Sequence, residues 1–211
     1  MPEKPVKLSR QLIVETALQI ADRKGLGAIS MRGLGRELGY AGMAVYEYVA
    51  NKDDLLDHMA EHAISALPQV DITGDWYAQT IYFYTAMHNI VLAHPSVAHL
   101  IIERTVAGPN SIRAAEPLLD MWLRAGFSDP VTASALITLS SYTIGTSLYQ
   151  IARTGPDRPT LDDRFRELSP EEHPVFHRLA KFIIAGPGDE QFRAGLEQIL
   201  HSYGRPPLPN P

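Results

Sequence analysis

The chain has 211 residues, 45% of them hydrophobic and 20% charged, with a formal net charge of -5 and no cysteine. That is enough apolar material for two modest domains or one larger one with a proper core. It excludes a disulfide framework, a thiolate metal site and a protein that coats nucleic acid without selection. Residues 1–52 carry eight Lys or Arg against five Asp or Glu, so the acidic excess lies wholly beyond them. This asymmetry favours a DNA-facing N-terminal module.

Residues 1–8 read as a basic arm holding Lys4 and Lys7, without the apolar run of a signal peptide. Ser9 is placed to cap an amphipathic helix carrying Leu12, Ile13, Ala17, Leu18 and Ala21, which Gly25 stops. Ser30 then caps a short helix, Met31 to Leu38, ended by Gly39; a second short helix is expected over Met43 to Val49. Asn51, followed by Asp53 and Asp54, starts a longer helix that runs to about Leu67, before Pro68.

Beyond Asp71 the residues become larger. Asp75 caps an aromatic-rich helix that Pro95 breaks; Val97 to Arg104 is a short helix, and Gly108-Pro109-Asn110 reads as a turn before a helix from Ile112 to Ala125. Asp129-Pro130 signals a helix from Val131 to about Arg153. Gly155 to Ser169 is a polar connection, Ser169-Pro170-Glu171-Glu172 a further start signal for a helix to Ala185, and Glu190 to Tyr203 the last helix. No repeat or strand is evident, so the expectation is an all-α chain of about ten helices. It divides into an N-terminal three-helix domain at 1–50, a connecting helix at 51–67 and a larger helical domain at 68–211. No apolar stretch reaches the length of a membrane span, which makes a cytoplasmic protein the default.

Two short helices joined by a glycine turn suggest a helix-turn-helix, whose second helix enters the major groove. Gly42, Met43 and Ala44 are then the base-facing positions, small enough at 42 and 44 for close approach. Tyr46, Tyr48 and Lys52 are placed to meet phosphates, and Arg32 with Arg36 to meet the backbone from the preceding helix. Val45, Val49, Leu34 and Leu38 hold the core, while Glu47 suits a phosphate surface only if it accepts from cytosine or orients a basic side chain.

Three blocks carry a family signature: Gly25-Leu26-Gly27-Ala28-Ile29-Ser30-Met31-Arg32, Leu34-Gly35-Arg36-Glu37-Leu38-Gly39, and Ala44-Val45-Tyr46-Glu47-Tyr48-Val49-Ala50-Asn51-Lys52-Asp53-Asp54-Leu55-Leu56. In this order they resemble the TetR family of transcriptional regulators. The departures are Gly35, where alanine is usual, and Glu47. The resemblance implies a homodimer on a palindromic DNA operator, with Tyr46, Tyr48 and Lys52 on phosphates and Gly42, Met43 and Ala44 facing bases.

The second half is similar in layout to the tetracycline-repressor subgroup. That implies helices 131–153 and 190–203 pairing with their symmetry mates, for which Ala135, Leu139, Gly145, Ala152, Phe192, Leu196 and Ile199 offer small and apolar faces, with burial inside the single chain as the alternative. It also implies an effector pocket. Its candidate walls are Trp76, Phe83, Met87, Ile102, Met121, Trp122, Tyr142, Thr146 and Tyr149, with His88 or His177 as polar anchors, an apolar setting suited to a small hydrophobic or aromatic molecule. The subgroup's drug-holding histidine falls near Pro68 here, which argues against a tetracycline–magnesium ligand.

The pairs His58–His62 and His173–His177 lie one helical turn apart with acids nearby, but two histidines at that spacing are easily accidental, so no metal and no cofactor is expected. Nucleophile elbow, phosphate loop and spaced carboxylate pair are all missing from the sequence, and no enzyme is expected. The favoured function is a ligand-released repressor; the alternative is a DNA-binding regulator without a small-molecule effector, constitutive or controlled by a protein partner.

Overall fold

The computed structural model describes residues 7–103, 108–153, 168–186 and 188–204. Among them the fold is all-α, with ten α-helices and one short 3-10 turn. The N-terminal elements are α1 (Arg10–Lys24), the 3-10 turn Leu26–Ala28, α2 (Met31–Leu38), α3 (Gly42–Val45) and α4 (Lys52–Ile64). Then follow α5 (Trp76–Ala93), α6 (Pro95–Glu103), α7 (Pro109–Arg124), α8 (Asp129–Arg153), α9 (Pro174–Ala185) and α10 (Asp189–Ser202). No helix among the described residues is long and apolar enough to cross a membrane. Lys4 and most of the 155–169 connection lie outside the described residues.

Side-chain caps set the starts of four helices. Ser9 accepts from the Leu12 amide, Ser30 from Gly33, Asn51 from Asp54 and Asp75 from Ala78, each satisfying an amide that the helix itself leaves orphaned. Gly39 ends α2 in the left-handed region at φ 75°, which a side chain rarely adopts.

Several helix boundaries differ from the sequence reading. The second short helix is only one α-turn, Gly42–Val45; beyond it Tyr46, Glu47 and Tyr48 donate to carbonyls three residues back, a tighter winding. Helix α7 begins at Pro109 itself, where a proline's missing amide is harmless. The Ser169-Pro170 signal makes only a turn, and α9 starts at Pro174, because His173 before that proline is held outside the helical region (φ -129°, ψ 53°).

Two apolar cores result. The first joins α1 to α4, with Ile13, Leu34, Val45, Leu55 and Met59 fully buried, and takes in Val97 and Leu100 of α6. The second spans α5, α7, α8 and α10 around Tyr84, Leu139, Phe192 and Leu196. Helix α4 serves both: Leu55 to Ala63 pack in the first and Ile64 in the second. Fully burying one such leucine contributes about 1.5–3 kcal/mol.

Ala135, Leu139, Phe192 and Leu196, expected on a dimer face, are instead at most 1% exposed within the single chain. They point inward because α8 and α10 pack on α5. The outward large apolar residues of α8 are Ile137 and Tyr149, and those of α9 are Val175, Phe176, Leu179 and Phe182.

Polar ties cross the boundary between the cores. Asp22 of α1 accepts from the Ser96 hydroxyl at 2.7 Å and lies 2.6 Å from His94 Nδ1. Glu61 of α4 accepts from the Asn110 amide and the Ser111 hydroxyl at the start of α7, both at 2.8 Å, and Arg113 donates to the Ser65 carbonyl.

Candidate nucleic-acid interface and effector cavity

The sequence places glycine on both sides of the α2–α3 turn, and the structure shows why. A methyl group on Gly35 would stand 2.7 Å from Gly42 Cα and 3.0 Å from the Tyr40 carbonyl oxygen, and one on Gly42 would stand 3.0 Å from Arg32 Cα. The two helices therefore approach backbone to backbone. Val45 and Val49 anchor the second one in the first core. What remains outward is Met43, 75% exposed, with Tyr46, Glu47, Arg32 and Arg36 also exposed. Ala44 and Tyr48 are half-buried and rest on the first core.

Two long basic side chains brace this surface. Arg10 Nε donates to the Tyr48 carbonyl at 3.0 Å, and Lys52 Nζ to the Leu26 carbonyl at 3.4 Å. The Asn51 cap is reinforced by Asp54, whose carboxylate accepts the Ala50 amide at 2.7 Å. The exposed groups of α2, α3 and the turn after it are thus a thioether, a phenol, a carboxylate and two guanidinium groups. Cationic side chains are the type that meets phosphates, and short apolar ones the type that meets base edges.

In the second domain a cavity of about 360 Å³ opens between α4, α5, α6, α7 and α8. This lies within the size range of small-molecule sites. Phe83 and Met87 line it, as the sequence suggested. The walls that sequence reasoning missed include Ile64, Leu67, Ile101 and Leu136, with Ser111 and Ser140 as the polar members among the described lining residues. Only their small size and helical phase hint at the role, and neither distinguishes a cavity wall from a core.

The other expected contacts lie elsewhere. Trp76 and Trp122 pack edge-on at 5.1 Å, both against Phe127, and Trp122 Nε1 donates to Thr80 at 2.9 Å; Met121 is buried in the same core. Tyr142, Thr146 and Tyr149 line a separate open groove between α8, α9 and α10, where Arg153 sits over the Tyr149 ring. Ile102 is 61% exposed, and His177 Nε2 lies 2.6 Å from the Leu168 carbonyl.

His88 is 1% exposed and stacks on Phe192, with ring centres 4.0 Å apart. Its Nδ1 is hydrogen-bonded to the Ser147 hydroxyl at 2.7 Å, and the same hydroxyl lies 2.7 Å from the Thr143 carbonyl oxygen. Nε2 is left without a hydrogen bond, 3.6 Å from the Asp189 carboxylate. Burial pulls this imidazole below its ordinary value, against the opposing pull of Asp189.

His58 lies 3.5 Å from Asp54 and His62 4.0 Å from Glu15. Among the described residues no three His, Cys, Asp or Glu converge on a metal position.

Residues 13–59 match the family model of bacterial regulatory proteins, tetR family, and residues 67–202 that of the tetracyclin repressor-like C-terminal domain. The chain is similar to the HTH-type transcriptional repressor DrrR1 of Streptomyces coeruleorubidus, 29% identical over 94% of this chain and 77% of that one. It is 26% identical to the Escherichia coli tetracycline repressor protein class C, over 92% and 90% of the two chains. Among solved structures, the Streptomyces coelicolor TetR family protein ActR in complex with actinorhodin superposes with a TM-score of 0.79 at 29% identity, covering 93% of this chain and 97% of that one.

Proposed function

The chain belongs to the TetR family of DNA-binding transcriptional regulators, and from that premise we propose that it is a homodimeric repressor released from a palindromic operator by a small, metal-free, hydrophobic or aromatic molecule. The observation that carries the effector reading is the apolar cavity. It is walled on one side by the end of α4, a helix whose earlier residues share the first core with α2 and α3 and which packs on α1. A ligand that fits the cavity best at one setting of α4 shifts the spacing of two recognition elements by its differential affinity for the two settings. The cavity also favours this reading over an effector-free regulator, because a helical domain has no packing reason to leave such a space unfilled.

The ActR structure with actinorhodin supports a small-molecule effector for this chain as well. Kinship with the tetracycline-repressor subgroup is retained for the helical layout alone. The described lining residues hold no histidine or carboxylate for a chelated cation.

Contacts to DNA are assigned to Arg32, Gly42, Met43, Ala44, Tyr46, Tyr48 and Lys52. Lys52 leaves its bond to Leu26 or shares it with a phosphate. Dimerisation is assigned to the outer faces of α8 and α10, where Gly145 has open space around it and Ile137 and Tyr149 are exposed. Selection of bound duplexes from a random pool tests the function. Two inverted half-sites about one helical turn apart, some 10–10.5 bp between centres or a multiple of it, are expected. No enrichment, or a single unrepeated half-site, contradicts the proposal.

A further inference from the structure

The effector cavity has polarity of a definite sense at its α7 end. Ser111 lines it, and the Ser111 hydroxyl already donates its one proton to Glu61 Oε1 at 2.8 Å. The other Glu61 oxygen accepts the Asn110 amide at 2.8 Å, and the Asn110 side-chain amide returns to the Glu61 carbonyl at 3.2 Å. A methyl group on Gly108 would overlap the Glu61 carboxylate, so glycine at 108 is what lets the acid reach the helix start. Both carboxylate oxygens are thus engaged by donors, and the serine proton is committed.

A hydroxyl has one proton and two lone pairs. With its proton on Glu61, Ser111 faces the cavity as an acceptor only. Resting on the effector reading above, we infer that the effector carries a hydrogen-bond donor, a phenolic or alcoholic hydroxyl, which it gives to Ser111, and that Glu61 sets this preference. Neutral donors suit the site because the remaining described walls are apolar apart from Ser140, and an unpaired charge there is disfavoured. Glu61 is a positioning residue: it touches no ligand and acts by holding the Ser111 proton.

The inference is testable with three matched probes on the full chain, measured by titration calorimetry: 2-naphthol as donor, 2-methoxynaphthalene as its blocked counterpart, and 2-acetylnaphthalene as an acceptor. The wild type is expected to prefer 2-naphthol over both others by about 5- to 10-fold, the size of one neutral hydrogen bond. Ser111→Ala removes this preference while 2-methoxynaphthalene binds as before. Glu61→Gln is the sharper variant. Its carbonyl must face the Asn110 amide, so its NH2 faces Ser111 and donates to it. The serine proton is then free to point into the cavity, and 2-acetylnaphthalene gains over 2-naphthol.

A merely structural Glu61 would weaken all three probes alike, and that result overturns the inference. Equal binding of the three probes to the wild type, or a preference that survives Ser111→Ala, overturns it too while leaving the cavity reading intact. If no probe binds at all, the effector cavity itself is refuted, and this inference with it.

Discussion

Beneath α2 and α3, Leu34, Val45 and Leu55 are completely buried, and Gly35 and Gly42 bring two backbones so close that a methyl group on Gly35 would collide and one on Gly42 would be tightly pressed. Between α5, α7 and α8, residues of the same chemical kind enclose about 360 Å³ instead. The two regions share α4, so a closely packed helix pair and a domain with room to spare meet on one helix. Precision is needed where base edges are approached, and slack where a ligand must enter. Packing density is the physical variable that separates them.

Four substitutions probe that contrast. Leu34→Ala removes a side chain from the filled core and is expected to destabilise by about 2–5 kcal/mol, read from denaturant midpoints. Met87→Ala borders existing space and falls at the low end of that range. A larger loss at Met87 than at Leu34 breaks the comparison.

Gly35→Ala forces α2 and α3 apart against backbone atoms, which have no flexible end to give way. A loss of about 1–3 kcal/mol is expected, together with weaker duplex binding in gel-shift titrations. Ala115→Leu fills the cavity from α7. Here stability should hold or rise by about 0.5–2 kcal/mol, while calorimetry shows loss of 2-naphthol binding; retained binding would place the ligand elsewhere.

The smallest effect concerns His88. Its folded-state value lies below the ordinary imidazole value of 6.5, with burial as the main cause. The folded state therefore favours the neutral ring. Stability from this group is complete above pH 6.5 and declines as pH falls from there toward the folded-state value. Denaturant midpoints across that window should fall less in His88→Asn than in the wild type, and an identical slope would deny His88 this role.

The helix starts were readable because each rests on one residue. Ser30, Asn51 and Asp75 cap through their own side chains, and Gly39 stops α2 by its φ. The α9 start was misread because Pro174 restricts His173 more strongly than Ser169-Pro170 recruits a helix. The cavity was the least readable part. Its walls come from five helices, and the aromatic bulk that drew attention to Trp76 and Trp122 is what lets them fill their own surroundings. Ser111, small and at a helix start, gave no such signal. Its meaning comes from Glu61, 50 residues away in sequence.

The DNA-reading surface carries the functional account, and salt-dependent binding to a selected duplex tests it most directly. For the wild type the logarithm of affinity should fall linearly and steeply with the logarithm of salt concentration. Lys52→Ala should weaken binding and reduce that slope by about 1, and Tyr46→Ala should weaken it by about 5-fold, one hydrogen bond's worth. Affinity and slope both unchanged in the two variants would contradict the assignment of this face to DNA.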